Sequence, residues 1–233
     1  MTSFPGNSLT RIDPRRNRAT RTISLAPRGA GPIGVTVFRG FVWVANHNGV
    51  PTISVSKIDP ATMRVVDVIR VGAGASAGPV WILSGAGSIW TNVNSGPNVV
   101  VRIDPHTDRI LATIPAPSAC AQLAGDNTTV WGASGDDPSC TPSVSRIDPR
   151  SNKVVATIDE GGAADAVALY HGSLWYGTIA THKLVRVDSR TNRVIGQLDL
   201  PGPAFGMTAG AGAIWVTDRD DGQLFKVDPG THK

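Results

Sequence analysis

An all-β fold, a β-propeller of about five four-stranded antiparallel blades with WD40-like architecture, is predicted by three observations on the sequence. One phrase recurs six times, as Arg11-Ile12-Asp13-Pro14, Lys57-Ile58-Asp59-Pro60, Arg102-Ile103-Asp104-Pro105, Arg146-Ile147-Asp148-Pro149, Arg186-Val187-Asp188-Ser189 and Lys226-Val227-Asp228-Pro229. Its aspartates step by 46, 45, 44, 40 and 40 residues, a period that signals stacked supersecondary units. A tryptophan recurs upstream of five of these phrases, as Trp43, Trp90, Trp131, Trp175 and Trp215. The 26 glycines and 17 prolines in 233 residues, with only 17% charged residues, suit short strands and tight turns rather than long solvated helices.

The first complete repeat supplies the elements in order. Ile33 to Phe38 is a strand-sized apolar run, Arg39-Gly40 a turn, and Phe41 to Ala45 a second strand that carries Trp43. Asn46 to Pro51 reads as a loop, Thr52 to Ile58 as a third strand, Asp59-Pro60-Ala61-Thr62 as a turn and Arg64 to Val71 as a fourth strand, followed by a loop over Gly72 to Pro79. Turn chemistry separates each pair of strands. A lone sheet of this kind exposes two apolar faces, so neighbouring units must stack, and a ring does so with few free edges. The recurring indoles are assigned to packing between blades. In the repeated phrase the aspartate is expected to accept hydrogen bonds from downstream amides while proline presets φ, which makes the phrase a structural turn.

The expected organisation is a disordered stretch over residues 1–7 and a single propeller domain over 8–233. The last blade lacks an outer strand, and residues 19–25 match one, so the N-terminus is a candidate to close the ring. Residues 8–13 then duplicate a third strand already present at Gln223 to Asp228. That surplus either hangs off the edge or belongs to a larger ring.

The phrases Phe41-Val42-Trp43-Val44-Ala45-Asn46 and Ala213-Ile214-Trp215-Val216-Thr217-Asp218, with Val55-Ser56-Lys57-Ile58-Asp59-Pro60 and Val154-Val155-Ala156-Thr157-Ile158, resemble bacterial YVTN-repeat, YncE-like propellers. More loosely they are similar to the streptogramin B (virginiamycin B) lyase group. The resemblance covers residues 8–230 and implies the propeller fold; these families hold binding and scaffold modules as well as a few enzymes. Where the lyases place histidine at particular blade openings this chain has Ile33, Val80, Ala166 and Phe205. No catalytic histidine or glutamate carries over.

Strand alternation places the second-to-third and fourth-to-first connections on one face, and irregular loops around a channel mouth are where binding concentrates. Candidate ligand-binding residues there are Asn46, His47, Asn92, Asn94, Tyr176, His182, Asp218, Arg219 and Asp220, with Asn48, Asp136, Asp137 and Asp221 nearby. No catalytic residue is assigned. The aspartates offer oxygen ligands, but no calcium-loop pattern is present and His47 and His182 lack metal-ligand spacing, so no metal and no cofactor are expected. Gly74-Ala75-Ser76-Ala77-Gly78 fits a nucleophile-elbow pattern without the strand-to-helix setting that motif needs. The two cysteines, Cys120 and Cys140, fit either a disulfide or two reduced thiols.

The opposite face gathers Arg15, Arg16, Arg18, Arg64, Arg109, Arg150, Lys153, Arg190, Arg193 and Lys233, without the aromatic interleaving that nucleic-acid surfaces carry. A net charge of +4 permits attraction to anionic partners without requiring it. The reading is a non-catalytic module that presents its loop-rich face to a small molecule or protein partner, as a monomer. A lyase-like or hydrolytic site using Asp218, Asp220 or His182 is the first alternative, and a basic-face nucleic-acid binder the second. No signal peptide or membrane span is legible, so the chain as written reads as cytoplasmic, and an upstream signal would place it outside the cytosol.

Overall fold

A computed structural model describes residues 1–25, 31–47, 52–73, 79–94, 96–159 and 162–230. The strands fall into two compact units, Met1–Ile114 and Pro115–Lys233, each with three antiparallel sheets.

In the first unit, β1 (Thr2–Ser3), β2 (Ser8–Asp13) and β3 (Arg18–Ser24) form a three-stranded sheet. The second sheet is β4 (Pro32–Phe38), β5 (Phe41–Asn46), β6 (Thr52–Asp59) and β7 (Arg64–Ala73). The third is β8 (Pro79–Gly85), β9 (Ser88–Val93), β10 (Val99–Ile103) and β11 (Ile110–Pro115). The second unit begins with β12 (Leu123–Gly125), β13 (Val130–Ala133), β14 (Val144–Asp148) and β15 (Lys153–Ile158). It continues with β16 (Ala164–Tyr170), β17 (Ser173–Thr178), β18 (Lys183–Asp188) and β19 (Arg193–Asp199). Its last sheet is β20 (Ala204–Gly210), β21 (Ala213–Asp218) and β22 (Leu224–Val227).

Six sheets therefore stand where counting tryptophans gave five. The first sheet escaped the count because β1 has only two residues and no indole. Residues 19–25 do not complete the last blade: β3 pairs with β2 from Ser8↔Ser24 to Asp13↔Arg18, and among the described residues β20–β22 is three-stranded. Residues 1–7 are not a loose leader either, since Thr2 pairs with Leu9 and the Thr2 hydroxyl donates to the Ile33 carbonyl.

Two local devices set the sheets. Four first-to-second connections are two-residue turns with both φ angles positive, at Arg39-Gly40, Ala86-Gly87, His171-Gly172 and Ala211-Gly212, the hairpin geometry that matches strand twist. At the third-to-fourth turns the aspartate accepts from the amide two residues on, as Asp13 from Arg15, Asp104 from His106, Asp148 from Arg150 and Asp188 from Arg190. These hydrogen bonds hold the carboxyls of Asp13, Asp59, Asp104, Asp148 and Asp188 below their ordinary 3.8, backbone amides contributing most except at Asp59, where the Thr62 hydroxyl leads. The residue four after each of these aspartates has positive φ: Asn17, Met63, Asp108, Asn152 and Asn192.

Each indole lies opposite the basic residue of the repeated phrase: Trp43↔Lys57, Trp90↔Arg102, Trp131↔Arg146, Trp175↔Arg186 and Trp215↔Lys226. The cations sit 4.9 to 5.6 Å from the ring centroids, within cation–π range. The indoles also fill the space between sheets. Trp43 clusters with Ile82, Ile89, Val101 and Ile103 of the next sheet, Trp131 with Val167 and Leu174, and Trp175 with Met207 and Ile214. Four of the five indoles are fully enclosed. Trp215 is half-buried.

The basic residues reach onward as well. Arg11 donates to the Pro60 carbonyl, Lys57 to the Pro105 carbonyl and both carboxylate oxygens of Asp108, and Arg146 to Asn192 Oδ1. Each thus ties its sheet to the next sheet's turn.

Candidate functional site

Three of the expected ligand-binding residues are enclosed in the framework. Asn46 has no exposed surface, and its amide nitrogen donates to Ser54 Oγ and Ser56 Oγ on β6. Asn92, equally enclosed, accepts from the Trp81 amide through Oδ1 at 2.9 Å. Tyr176 belongs to the apolar cluster that contains Trp131. These side chains brace strands and offer no surface to a ligand.

Elsewhere in the first unit, His47 closes β5 with its amide on the Gly31 carbonyl, its ring 6.1 Å from that of Phe4. Asn94 is partly buried just beyond β9. Asn48 and the stretch 74–78, with its nucleophile-elbow pattern, lie outside the described residues, as does Lys233.

In the second unit the loops do converge. Arg219 extends from the β21–β22 connection, and one guanidinium nitrogen meets Asp136 Oδ2 at 2.6 Å and Asp165 Oδ2 at 3.3 Å. Asp136 comes from the β13–β14 loop and Asp165 from a bulge in β16 between Ala164 and Ala166, so three successive sheets contribute one side chain each. The neighbouring Asp218 is buried and its Oδ1 accepts from the amides of Asp220 and Asp221, which fixes the Arg219 backbone. Gln122 links the same sheets, its Oε1 accepting from Val167 N and Met207 N while its Nε2 donates to the Met207 carbonyl. His182 stands apart, exposed, in a turn of positive φ where its carbonyl receives the Leu200 amide.

The loop that carries Asp136 is held on both sides. Cys120 and Cys140 form a disulfide across 20 residues, a closure that in the chain-entropy picture contributes about 3 kcal/mol. Thr141 N donates to the Pro117 carbonyl and Ser143 Oγ to Ser118 Oγ. Sequence reasoning left the cysteines open between bridge and free thiols; the bridge is formed. It overlooked Asp165, whose signal was a lone carboxylate in the apolar run Ala164-Asp165-Ala166-Val167-Ala168.

Burial pushes the Asp165 carboxyl from 3.8 up to about 6, the Arg219 cation opposing this and the Asp136 charge adding to it. A carboxyl whose folded value lies above its unfolded one stabilises the fold when protonated, so the contribution is complete below pH 3.8 and lost as pH rises through about 6. The turn aspartates act with opposite sign and in a lower window, their contribution lost only as pH falls below 3.8. Thermal midpoints measured from pH 4 to 7 are expected to fall for the wild type and to fall less for Asp165→Asn. Parallel profiles would contradict the assignment.

The arrangement makes this edge acidic. Asp136, Asp137, Asp220 and Asp221 are exposed around Arg219, and Phe205, at the bulge of β20, is half exposed. The third-to-fourth turns of the same unit carry exposed Arg150, Lys153, Arg190 and Arg193. Among the described residues no three His, Cys, Asp or Glu side chains are grouped to hold a metal ion, and no helix is long and apolar enough to cross a membrane.

No family model matches the chain, and no curated protein matches it. Solved structures do. A chain of a structure titled "Crystal Structure of Mitotic Checkpoint Complex" is similar over 94% of this chain and 70% of its own, at 14% identity and a TM-score of 0.74. A chain of the Kuenenia stuttgartiensis hydrazine synthase is similar over 97% of this chain and 90% of its own, at 12% identity and a TM-score of 0.61. The fold is a β-propeller of six blades with three or four antiparallel strands each.

Proposed function

We propose that this propeller is a non-catalytic interaction module of YVTN-repeat, YncE-like character whose acidic loop edge in the second unit receives a cationic segment of a protein partner. The observation that carries the reading is the junction of Asp136, Arg219 and Asp165, drawn from three successive blades and braced by a disulfide. It is a built surface whose carboxylates outnumber its one guanidinium. By contrast, the charges that recur in every blade are occupied by the framework, the aspartates in turns and the basic residues on indoles. Complementary charge would orient such a partner and hasten its docking. A bridge of this kind also fits work in an oxidising compartment.

The lyase-like alternative draws less support, because the Asp218 carboxylate is engaged by two backbone amides and His182 lies on a separate turn. The nucleic-acid alternative rests on exposed turn arginines that adjoin the repeated aspartates, as in the 3.1 Å pair of Arg16 with Asp13.

Fluorescence anisotropy with a labelled lysine- and arginine-rich peptide, an acidic peptide of equal length and a DNA duplex tests the assignment. Binding of the basic peptide that weakens with salt and is lost in the combined Asp136→Asn, Asp220→Asn, Asp221→Asn protein is expected. Equal binding of both peptides, or retention of the duplex alone, would overturn it.

A further inference from the structure

Charge is shared unequally along this chain. Residues 1–114 hold twelve lysines and arginines against five aspartates and no glutamate, while residues 115–233 hold ten against thirteen acidic side chains. Much of the excess lies in one hairpin. Residues 11–24, which span the repeated phrase, its turn and the outer strand of the first blade, carry Arg11, Arg15, Arg16, Arg18 and Arg21 against Asp13 alone. The corresponding stretches of the next four blades come close to balance: three cations against two carboxylates over 57–73, two against two over 102–115, and three against two over both 146–159 and 186–199.

Register concentrates these charges on one face. Arg11 lies directly opposite Arg21, and Asp13 opposite Arg18, and residues opposed across an antiparallel pair project to the same side, where like charges repel. In other blades the position that Arg21 holds is taken by a residue that does not repel the phrase cation: Lys57 faces Asp67, Arg146 faces Ala156 and Arg186 faces Gly196. Of the five arginines, Arg16 alone is ion-paired among the described residues, to Asp13 at 3.1 Å. Arg15, Arg18 and Arg21 are exposed. A hydroxyl adjoins them, Thr20 Oγ1 accepting from Arg11 Nε at 3.1 Å.

We propose that the β2–β3 hairpin binds a linear sulfated polysaccharide, with one sulfate seated between Arg11 and Arg21 and its neighbours along the chain meeting Arg18 and Arg15. Two opposed guanidiniums suit a tetrahedral oxyanion, which has an oxygen for each, better than a planar carboxylate, which one arginine saturates by itself. The bound anion turns the repulsion of Arg11 and Arg21 into a shared contact. Nucleic acid fits less well. Residues 8–24 contain no aromatic side chain on which a base could stack, and the hairpin does not project as a ribbon into a groove, because Leu9 and Ile23 hold it against Val44 and Ile58 of the second blade. The Cys120–Cys140 bridge points the same way, since disulfides persist outside the reducing cytosol. This site shares no residue with the acidic edge of the second unit and does not depend on that reading.

The probes are a size-defined heparin hexasaccharide, a hyaluronan hexasaccharide that carries only carboxylates, a DNA duplex and phosphatidylserine vesicles, each titrated into the whole chain by calorimetry. Saturable binding of the heparin hexasaccharide that weakens with salt is expected. Arg18→Ser and Arg21→Ser should each weaken it about tenfold, the scale of one charge-assisted hydrogen bond. Arg21→Asp, which copies the opposition of Lys57 and Asp67, should raise the thermal midpoint while weakening binding at least as much, so a loss of affinity is separated from a loss of fold. Arg190→Ser combined with Arg193→Ser in the fifth blade removes two exposed cations and should leave the affinity unchanged. Equal losses from that pair and from the pair at Arg18 and Arg21 would mean attraction to net charge alone and overturn the proposal. So would equal binding of hyaluronan, tighter binding of the duplex or the vesicles, or no saturable binding of the heparin hexasaccharide.

Discussion

Trp43→Ala is expected to lower the unfolding free energy by about 3 to 5 kcal/mol, the range for deleting a fully enclosed large aromatic from a core. Its indole has no exposed surface, touches the next blade's Ile82 and Val101 cluster, and donates to the Phe38 carbonyl at 3.2 Å. Removing it leaves a cavity between sheets and takes the π face from the buried Lys57 ammonium. Trp215→Ala makes the internal control. That indole has the same cross-strand cation at 5.6 Å and the same kind of hydrogen bond, to the Gly210 carbonyl, but it is half-buried. The cost should be roughly half as large, scaling with apolar area removed from water. Urea midpoints of the two variants decide the matter: equal losses would mean that packing between blades is not what the indoles supply.

Asp108→Ala is the second large effect, at about 3 kcal/mol. Lys57 is 6% exposed, and its ammonium is held by both carboxylate oxygens of Asp108 at 2.7 and 2.9 Å. Truncating one side of an enclosed pair leaves the remaining ammonium without its hydrogen-bond acceptor, which costs far more than the pair gains as a whole. Asp108 also has φ of 59°, a conformation alanine adopts at a penalty and asparagine with ease. Asp108→Asn should therefore cost well under half as much, since the amide oxygen still accepts from Lys57, as Asn192 accepts from Arg146 at 3.0 Å. Equal destabilisation by the two substitutions in thermal or urea unfolding would show that the charge, not the backbone geometry or the hydrogen bond, carries the effect.

Strand limits were legible because the turns announce themselves. Phe41 to Ala45 was read and Phe41–Asn46 is found, Thr52 to Ile58 was read and Thr52–Asp59 is found. The site was less legible for a physical reason. Where both faces of a sheet are covered by neighbours, polar and apolar positions no longer alternate, and β9 and β17 are buried at every residue. Asn92 and Tyr176 sit in those strands and looked like loop residues only because their side chains are polar. Asp165 was hidden in the opposite way, as a carboxylate at a bulge that no spacing rule marks. Arg219 was found, but its two partners lie 83 and 54 residues upstream, a separation that only tertiary structure resolves.

The forward reach of Arg11, Lys57 and Arg146 gives the stacking a polarity. The second blade shows both halves of this handshake, its turn receiving Arg11 at the Pro60 carbonyl while its Lys57 reaches Pro105 and Asp108 of the third blade. The accepting group differs at each of these junctions, a carbonyl for Arg11, a carboxylate for Lys57 and an amide oxygen for Arg146, so a blade moved to another place would meet a different acceptor. Blade order is thereby written into the acceptors rather than into the cations.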